Sequence, residues 1–216
     1  MMRRSSLVLA AVLALSGCGA FGLGSRGGSD SGADTFERNI LGAYAASSDD
    51  GFYWRIERGV LVGKGRAIQS VLVRGGVEMA DGWVEAESSR ADDGGLVLRY
   101  VHPQEYYLLA FRDDAAPAPR GALNLAVYHR TGGEYRELWQ RDVAWPRGTA
   151  RTVRFEAQGG VLRVYLDGEP QGEIRPRPVI NDPHPYLGPG RVGVRHYGAD
   201  DTWRVEIDNF RWRRFR

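Results

Sequence analysis

The feature that most constrains the fold is a two-residue alternation of apolar and polar side chains that recurs along the chain. Val153–Ala157 and Trp203–Asp208 each place their apolar residues on one face of an extended strand. Val161–Leu166 alternates too and runs into Asp167-Gly168, a dipeptide typical of a tight hairpin turn. No long stretch has the 3.6-residue period of an amphipathic helix, so we predict an all-β domain.

Further strands are predicted by short apolar or alternating segments that lie between clusters of glycine and proline. These segments are Trp54–Val62, Ala67–Val73, Trp83–Glu87, Gly95–Tyr100, Tyr106–Arg112, Leu123–Arg130, Glu134–Arg141 and Arg191–Tyr197. Many short strands at this spacing form a sandwich or a barrel. We expect Trp54, Trp83 and Trp203 to fill its core.

The first residues have the features of an export signal. Arg3 and Arg4 precede an apolar stretch, Leu7–Leu15, and small residues lead to Cys18, the sole cysteine. The apolar stretch is about half of the roughly 20 residues that span a bilayer. The sequence Leu-Ser-Gly-Cys, Leu15–Cys18, resembles the lipobox of bacterial lipoproteins. The resemblance implies that residues 1–17 are a signal peptide and that the thiol of Cys18 carries a lipid.

Composition then divides the rest of the chain. Residues 18–34 are mostly glycine, serine, alanine and aspartate and bury little apolar surface, which predicts a flexible tether. Residues 35–216 are long enough for one domain with a sizeable core. A chain anchored in this way belongs at the cell envelope, on the outer membrane if the organism has one.

The charge balance argues against a nucleic-acid partner. The 29 basic residues fall to 27 once Arg3 and Arg4 are removed with the signal peptide, which equals the 27 acidic residues. Nucleic-acid binders normally carry a basic surplus clustered on one face. We therefore expect no nucleic-acid binding.

Four segments in order resemble a known family of sandwiches. They are Trp54–Leu61, Gly94–Tyr100 with Tyr106-Tyr107 following, Leu162–Gly168, and Gly190–Val194 leading to Ile207–Phe210. They resemble the concanavalin A-like jelly rolls, in particular laminin-G-type modules and 3-keto-disaccharide hydrolase-like domains. The resemblance covers most of residues 35–216. It implies two antiparallel sheets with ligands on a concave face. The family includes both glycan-active enzymes and non-catalytic modules, so the fold does not decide the function.

Two acidic pairs are candidates for catalytic residues. Laminarinases and lichenases of this fold carry three acids on one strand, spaced E-x-D-x-x-E or E-x-D-x-E. Glu206 and Asp208 match the first two positions, but Phe210 and Arg211 stand where the third acid is required. The pair in Glu85–Glu87 also lacks a third acid. We expect both pairs to be solvated strand faces next to arginines, and we predict no catalytic residues.

Aromatic and arginine side chains are the better candidates for ligand contacts. Trp145 and Tyr186 lie in loops rich in proline and glycine, where an aromatic ring either stacks on a sugar or anchors the loop on the sandwich. On the strands, alternation places four residues opposite the apolar faces: Arg99, Tyr107, Arg195 and Tyr197. The resemblance makes Arg99 the first candidate, with an inter-strand salt bridge as its alternative role.

The function expected from these observations is saccharide binding by a monomeric, lipid-anchored protein without catalysis. The resemblance also implies structural calcium at Asp208, although one aspartate supplies few of the six to eight oxygens that calcium prefers. No other cofactor is expected. Two alternatives stay open. One is a hydrolase of the 3-keto-disaccharide kind that uses histidine, acidic residues and a divalent metal. The other is a structural or protein-binding lipoprotein.

Overall fold

A computed structural model of the protein describes residues 30–48, 53–112, 122–177 and 188–216. Within these residues the chain forms fifteen β-strands and a short 3₁₀ helix at Leu41–Ala43. The strands are β1 Ser31–Asp34, β2 Tyr44–Ser48, β3 Tyr53–Glu57, β4 Val60–Lys64, β5 Ala67–Met79, β6 Gly82–Ala91, β7 Asp93–His102, β8 Glu105–Arg112, β9 Ala122–Thr131, β10 Glu134–Ala144, β11 Arg151–Gln158, β12 Val161–Leu166, β13 Glu169–Ile174, β14 Gly190–Gly198 and β15 Arg204–Arg214.

The strands build two antiparallel sheets. Sheet A has the order β13-β12-β11-β6-β15-β4-β3, with β1 also paired to β15, and sheet B has the order β10-β9-β8-β7-β14-β5-β2. Strands that are distant in sequence are neighbours in space, since β14 pairs with β5 and β7 and β15 pairs with β6. The molecule is an antiparallel jelly-roll sandwich, as the sequence predicts.

The main core lies between the two sheets. Val153 and Phe155 of β11 point into it, whereas Arg154 and Glu156 point outward and stay partly exposed. Phe111 of sheet B joins the same buried cluster. Burying each large apolar side chain contributes about 1.5–3 kcal/mol to the free energy of folding. The apolar residues of the alternating strands therefore stabilise the sandwich through their burial between the sheets.

A second apolar cluster lies on the other side of sheet B. Val71, Val97 and Leu108 belong to it, and they alternate along their strands with residues of the main core. This cluster therefore covers the face of sheet B that points away from sheet A, which we call the outer face of sheet B. Both faces of sheet B are apolar near its middle, so its strands do not show a clean alternation.

The predicted hairpin at Asp167-Gly168 is confirmed. It joins β12 to β13, and both residues have positive φ angles, 51° and 83°, as a two-residue type I′ turn requires. A second such turn, at Arg58-Gly59 with φ angles of 53° and 79°, joins β3 to β4. The single strand predicted for Trp54–Val62 is therefore wrong, because this turn divides it into a hairpin.

Ser31–Asp34, predicted as the end of the tether, is instead strand β1. It pairs antiparallel with β15, and buried Asp34 accepts hydrogen bonds from the Nε of Arg74 at 2.8 Å and the hydroxyl of Tyr44 at 2.6 Å. Backbone pairing and an ion pair, rather than apolar burial, hold this strand. Residues 18–29 of the predicted tether, with Cys18, lie outside the described residues. Within those residues, no helix is long and apolar enough to cross a membrane.

The three tryptophans expected in the core have different environments. Trp54 is partly buried against the main core, and its Nε1 donates to the Oγ of Ser70 at 2.8 Å. Trp203 is also only partly buried. Trp83 lies on the outward face of β6, with the guanidinium carbon of Arg154 4.6 Å from its ring centroid. The prediction for Trp83 is therefore wrong. Trp83 points to the same side of β6 as Glu85 and Glu87, whereas Val84 and Ala86 point into the core.

Candidate functional site

The outer face of sheet B brings together tyrosine and arginine side chains from several strands. Arg130 of β9 lies directly between Tyr106 of β8 and Tyr135 of β10 in the strand register. Tyr128 lies two residues before Arg130 on the same face. Arg195 of β14 also approaches this group. We call these five residues, Tyr106, Tyr128, Arg130, Tyr135 and Arg195, the tyrosine–arginine cluster.

Tyr135 is the exposed aromatic ring of this cluster, with 37% of the residue accessible. The guanidinium carbons of Arg130 and Arg195 lie 4.6 and 5.9 Å from its ring centroid. Its hydroxyl shares a 2.6 Å hydrogen bond with the hydroxyl of Tyr106. Cation–π contacts and this bond hold the ring in one orientation, so the face presents a fixed aromatic surface flanked by two cations.

Arg195 is deeply buried, with only 6% of the residue accessible, and it forms an ion pair with buried Asp93. Burial alone would lower the pKa of Arg195, but the neighbouring Asp93 carboxylate and the hydroxyls of Tyr135 and Tyr106 raise it. The guanidinium is therefore charged at every physiological pH. Among the described residues its Nε has no hydrogen-bond acceptor.

A polar row borders the cluster on one side. Arg112, Asn124 and Asp142 lie opposite one another on β8, β9 and β10. The Nη2 of Arg112 donates to the Oδ1 of Asn124 at 3.2 Å, and the Nδ2 of Asn124 donates to the Oδ1 of Asp142 at 2.9 Å. The guanidinium of Arg112 lies 5.6 Å from the ring of Tyr128, which connects this row to the cluster.

Aromatic rings border the cluster on the other side. Tyr100 stacks on Tyr106 with 5.6 Å between ring centroids, and the guanidinium of Arg191 lies 5.1 Å from the ring of Tyr100. Burial raises the pKa of the Tyr106 hydroxyl, and the nearby hydroxyl of Tyr135 raises it further. Burial likewise raises the pKa of Tyr128 to about 12. These phenols are neutral at physiological pH and can both donate and accept hydrogen bonds.

Two of the predicted ligand residues, Arg195 and Tyr197, do lie on this face. The guanidinium carbon of Arg195 is 5.3 Å from the ring of Tyr197, and that ring meets Trp203 edge-on at 5.8 Å. Tyr197 therefore extends the aromatic surface beyond the cluster. Their binding role stays a prediction. Tyr186 lies outside the described residues.

Arg99 is not on the outer face, contrary to the prediction. It has a φ of 51° and sits where the register of β7 with β8 shifts, so its side chain leaves the alternation of the strand. Only 1% of the residue is accessible. Its Nε donates to the carbonyl of Ala80 at 2.7 Å and its Nη2 to the carbonyl of Gly159 at 2.8 Å. Arg99 thus joins the connection between β5 of sheet B and β6 of sheet A to the β11–β12 turn of sheet A, and holds the end of the sandwich together.

Tyr107 and Trp145 also belong to the interior. Tyr107 is fully buried in the main core and stacks on His129 with 4.5 Å between ring centroids, so it points away from the outer face. Trp145 has 4% of its surface accessible and packs on Phe111 at 5.9 Å. Its Nε1 donates to the carbonyl of Thr149 at 2.8 Å. The structure therefore supports the loop-anchor role of Trp145 over direct contact with a ligand.

Asp208 lies on β15, and its Oδ1 accepts the backbone N–H of Asn209 at 2.7 Å. Burial raises the pKa of this carboxyl, and the charges of Glu87 and Glu37 raise it further. In the described parts of the chain, no three histidine, cysteine or acidic side chains come together in a way that would hold a metal ion. Calcium at Asp208 stays a prediction.

The acidic pairs rejected as catalytic residues are matched with arginines on sheet A. Glu85 meets Arg154 at 2.7 Å and Arg211 at 3.6 Å. Glu206 meets Arg204 at 2.7 Å. Both glutamates pair with arginines as expected, but Glu85 is buried, with 7% of the residue accessible, rather than solvated.

The sequence did not predict a binding role for Tyr135, Arg130 or Tyr106. All three lie in segments correctly predicted as strands. A local pattern in the sequence could have indicated this face. On β9, Tyr128 and Arg130 point to the side of the sheet opposite that of Val127 and Leu125, and on β10 the residues that pair with them are Glu137 and Tyr135. Two consecutive strands with aromatic or charged residues at every second position predict a polar, aromatic face.

Several solved structures share this architecture. A carbohydrate binding module from Bacillus subtilis has a TM-score of 0.54 and 14% identity, over 78% of this chain and 94% of that chain. A protein of unknown function with a galectin-like fold, also from Bacillus subtilis, has a TM-score of 0.61 and 12% identity, over 84% and 94%. A Bacillus licheniformis beta-glucanase has a TM-score of 0.55 and 10% identity, over 85% and 97%.

No protein-family model and no curated protein matches this chain. At identities of 10–14% the likeness to solved structures concerns the fold alone. The protein is a concanavalin A-like β-sandwich, as its segments suggested.

Proposed function

We propose that this protein is a lipid-anchored envelope protein that binds a poly- or oligosaccharide on the outer face of sheet B without catalysing a reaction. The observation that carries the proposal is the exposed ring of Tyr135 between the guanidinium groups of Arg130 and Arg195. A sugar ring has an apolar face that packs on an aromatic ring and hydroxyls that accept hydrogen bonds from guanidinium N–H groups. The carbohydrate-related neighbours of the same fold add support.

The arrangement of acidic residues favours binding over hydrolysis. Glycosidases that use two carboxylates hold them about 5–10 Å apart. On the described part of this face, Asp93 and Asp142 share a row, but β8 and β9 separate their strands, which spaces the backbones by about 14 Å. Arg112 and Asn124 lie between them, and Asp93 is already paired with Arg195.

The proposed anchor is the lipid on Cys18, supported by the lipobox-like sequence at Leu15–Cys18. One thioether-linked diacylglycerol together with an acylated N-terminus buries enough methylene groups to hold a protein at a bilayer, at about 0.8 kcal/mol per group. Polysaccharides are abundant at the envelope, so this location and the saccharide-binding face are mutually consistent.

Affinity electrophoresis tests the binding proposal. The protein is run through gels that contain laminarin, xylan, dextran or polygalacturonate, next to the Tyr135→Ala variant. Stacking by one aromatic ring contributes about 1.4 kcal/mol, so the variant should bind roughly tenfold more weakly. Tyr165→Ala is the matched control, because Tyr165 lies on the outward face of sheet A, 5.8 Å from the guanidinium of Arg154.

Retention of the parent protein that is lost in Tyr135→Ala and kept in Tyr165→Ala supports the proposal. Equal retention of all three proteins would place binding elsewhere and contradict it. Release of reducing sugar during prolonged incubation would instead favour the hydrolase alternative.

A further inference from the structure

The arginines on the outward faces of the two sheets have different partners. On sheet A, three of them pair with glutamates at 2.7–2.9 Å; the pairs are Arg154–Glu85, Arg163–Glu156 and Arg204–Glu206. On sheet B, Arg195 pairs with Asp93. In the described structure, Arg112, Arg130 and Arg191 form no ion pair, and each lies over a tyrosine ring instead. Sheet B therefore carries cations that the fold itself does not neutralise.

Hydrogen bonding on this face is also incomplete. The Nε atoms of Arg112, Arg130 and Arg195 are all buried, and none of them has an acceptor among the described residues. A buried N–H without an acceptor is unfavourable, and folded proteins contain few of them. These Nε atoms lie too deep to meet a ligand, but Arg112 and Arg130 are partly exposed, so their outer N–H groups can bind oxygen acceptors that a ligand supplies.

The geometry of guanidinium specifies the kind of oxygen. Its planar set of N–H donors matches carboxylate and sulfate oxygens, and such charge-assisted bonds are stronger than bonds to neutral hydroxyls. We infer that the tyrosine–arginine cluster selects a saccharide that carries carboxylate or sulfate groups. The sugar ring packs on Tyr135, and Arg130 and Arg112 bind the acidic oxygens. This inference rests on the saccharide-binding function proposed above.

The acids on the same face orient such a ligand. Glu137 and Asp142 lie on β10, where the hydroxyl of Tyr128 donates to Glu137 at 3.2 Å and Asn124 donates to Asp142. These carboxylates repel an anionic group. The acidic group of the ligand therefore points away from β10, towards the arginines of β8, β9 and β14.

Matched pairs of polymers test the inference by isothermal titration of the full-length protein at 150 mM salt. One pair is polygalacturonate and its methyl ester, and the other is dextran sulfate and dextran. Within each pair only the charged group differs. We expect the acidic member of at least one pair to bind about tenfold more tightly or better. The two pairs distinguish carboxylate from sulfate.

Two substitutions then locate the contact. Arg130→Gln should weaken binding of the acidic polymer about tenfold. Arg216→Gln is the control, because it removes the same charge from a side chain that is 90% exposed and that pairs with Asp30, which directly precedes β1. It should leave binding unchanged within about twofold.

The outcomes separate this inference from the function on which it rests. Acidic preference that Arg130→Gln abolishes and Arg216→Gln keeps supports both. Binding of the neutral polymers equally well overturns the acidic preference and leaves saccharide binding in place. Equal losses in both variants show nonspecific charge attraction and overturn the inference. Binding to none of the four polymers, nor to laminarin and xylan, overturns both.

Discussion

Arg99 should be a structural residue, and replacing it tests the geometry of the sandwich end. It donates two short hydrogen bonds, to the carbonyls of Ala80 and Gly159, from a fully buried position. A hydrogen bond from a charged group contributes about 1.5–3 kcal/mol, and Arg99→Ala removes both bonds together with a buried side chain. We therefore expect Arg99→Ala to lower the free energy of unfolding by about 3–5 kcal/mol.

The backbone at Arg99 permits a sharper comparison. Its φ of 51° lies in the left-handed region, which costs a residue with a β-carbon about 1–2 kcal/mol. Glycine avoids this cost but loses about 0.5–1 kcal/mol more conformational entropy on folding. Arg99→Gly should therefore be more stable than Arg99→Ala by about 0.5–1 kcal/mol, although it removes a larger side chain.

Urea unfolding followed by tryptophan fluorescence measures both variants, with Arg213→Ala as the control. Arg213 is exposed on β15, so its substitution should change the free energy of unfolding by less than about 0.5 kcal/mol. A loss below 1 kcal/mol in Arg99→Ala would refute the structural role. If Arg99→Ala were fully stable but bound saccharide more weakly, Arg99 would instead be a ligand-binding residue.

Three further predictions concern other parts of the molecule. Trp145→Ala should lower the free energy of unfolding by about 3–5 kcal/mol in urea, yet leave the saccharide affinity of the folded fraction unchanged, since Trp145 is an interior anchor. Burial lowers the pKa of His196 from 6.5 to about 4, so the unfolded chain takes up the proton first. The stability that neutral His196 contributes is complete above pH 6.5, and about 3 kcal/mol is lost as the pH falls from 6.5 to 4. His196→Gln should lose less stability than the parent over that interval; equal pH profiles would contradict this. Cys18→Ser should move the protein from the membrane to the soluble fraction and remove acyl chains from its mass spectrum, and an unmodified parent protein would exclude the lipid anchor.

Much of the fold was predictable because sheet A obeys a simple rule. One of its faces is buried and the other is solvated, so β11 and β12 alternate visibly in the sequence. The turn at Asp167-Gly168 was predictable from its residues. The turn at Arg58-Gly59 was not, because arginine rarely takes a positive φ and does not mark turns. Strand β1 was missed because pairing with β15 and the ion pair of Asp34 hold it, and neither leaves an apolar pattern.

The candidate site was harder to predict because both faces of sheet B are buried. In β8, Tyr106 and Tyr107 are adjacent apolar rings on opposite faces, so the sequence does not show which one points outward. Alternation also assigned Arg99 to the outer face, where the irregular register of β7 turns it inward. Arg195 and Tyr197 were placed correctly because they alternate with Val192 and Val194, which lie in the main core. Which residues of neighbouring strands lie side by side depends on the register between those strands, and that register is known only from the folded structure.

The pairing of β1 with β15 also determines where the domain can be opened. The backbone N–H of Arg214 donates to the carbonyl of Asp30 at 2.6 Å, so the start of β1 and the end of β15 are adjacent. A short linker from residue 216 to residue 30 would make the chain circular without changing the sandwich. Opening the circular chain at the exposed turn between β12 and β13 would then yield a circular permutant with the same core. A lipid could then be attached at a different edge of the protein while the outer face of sheet B keeps its geometry.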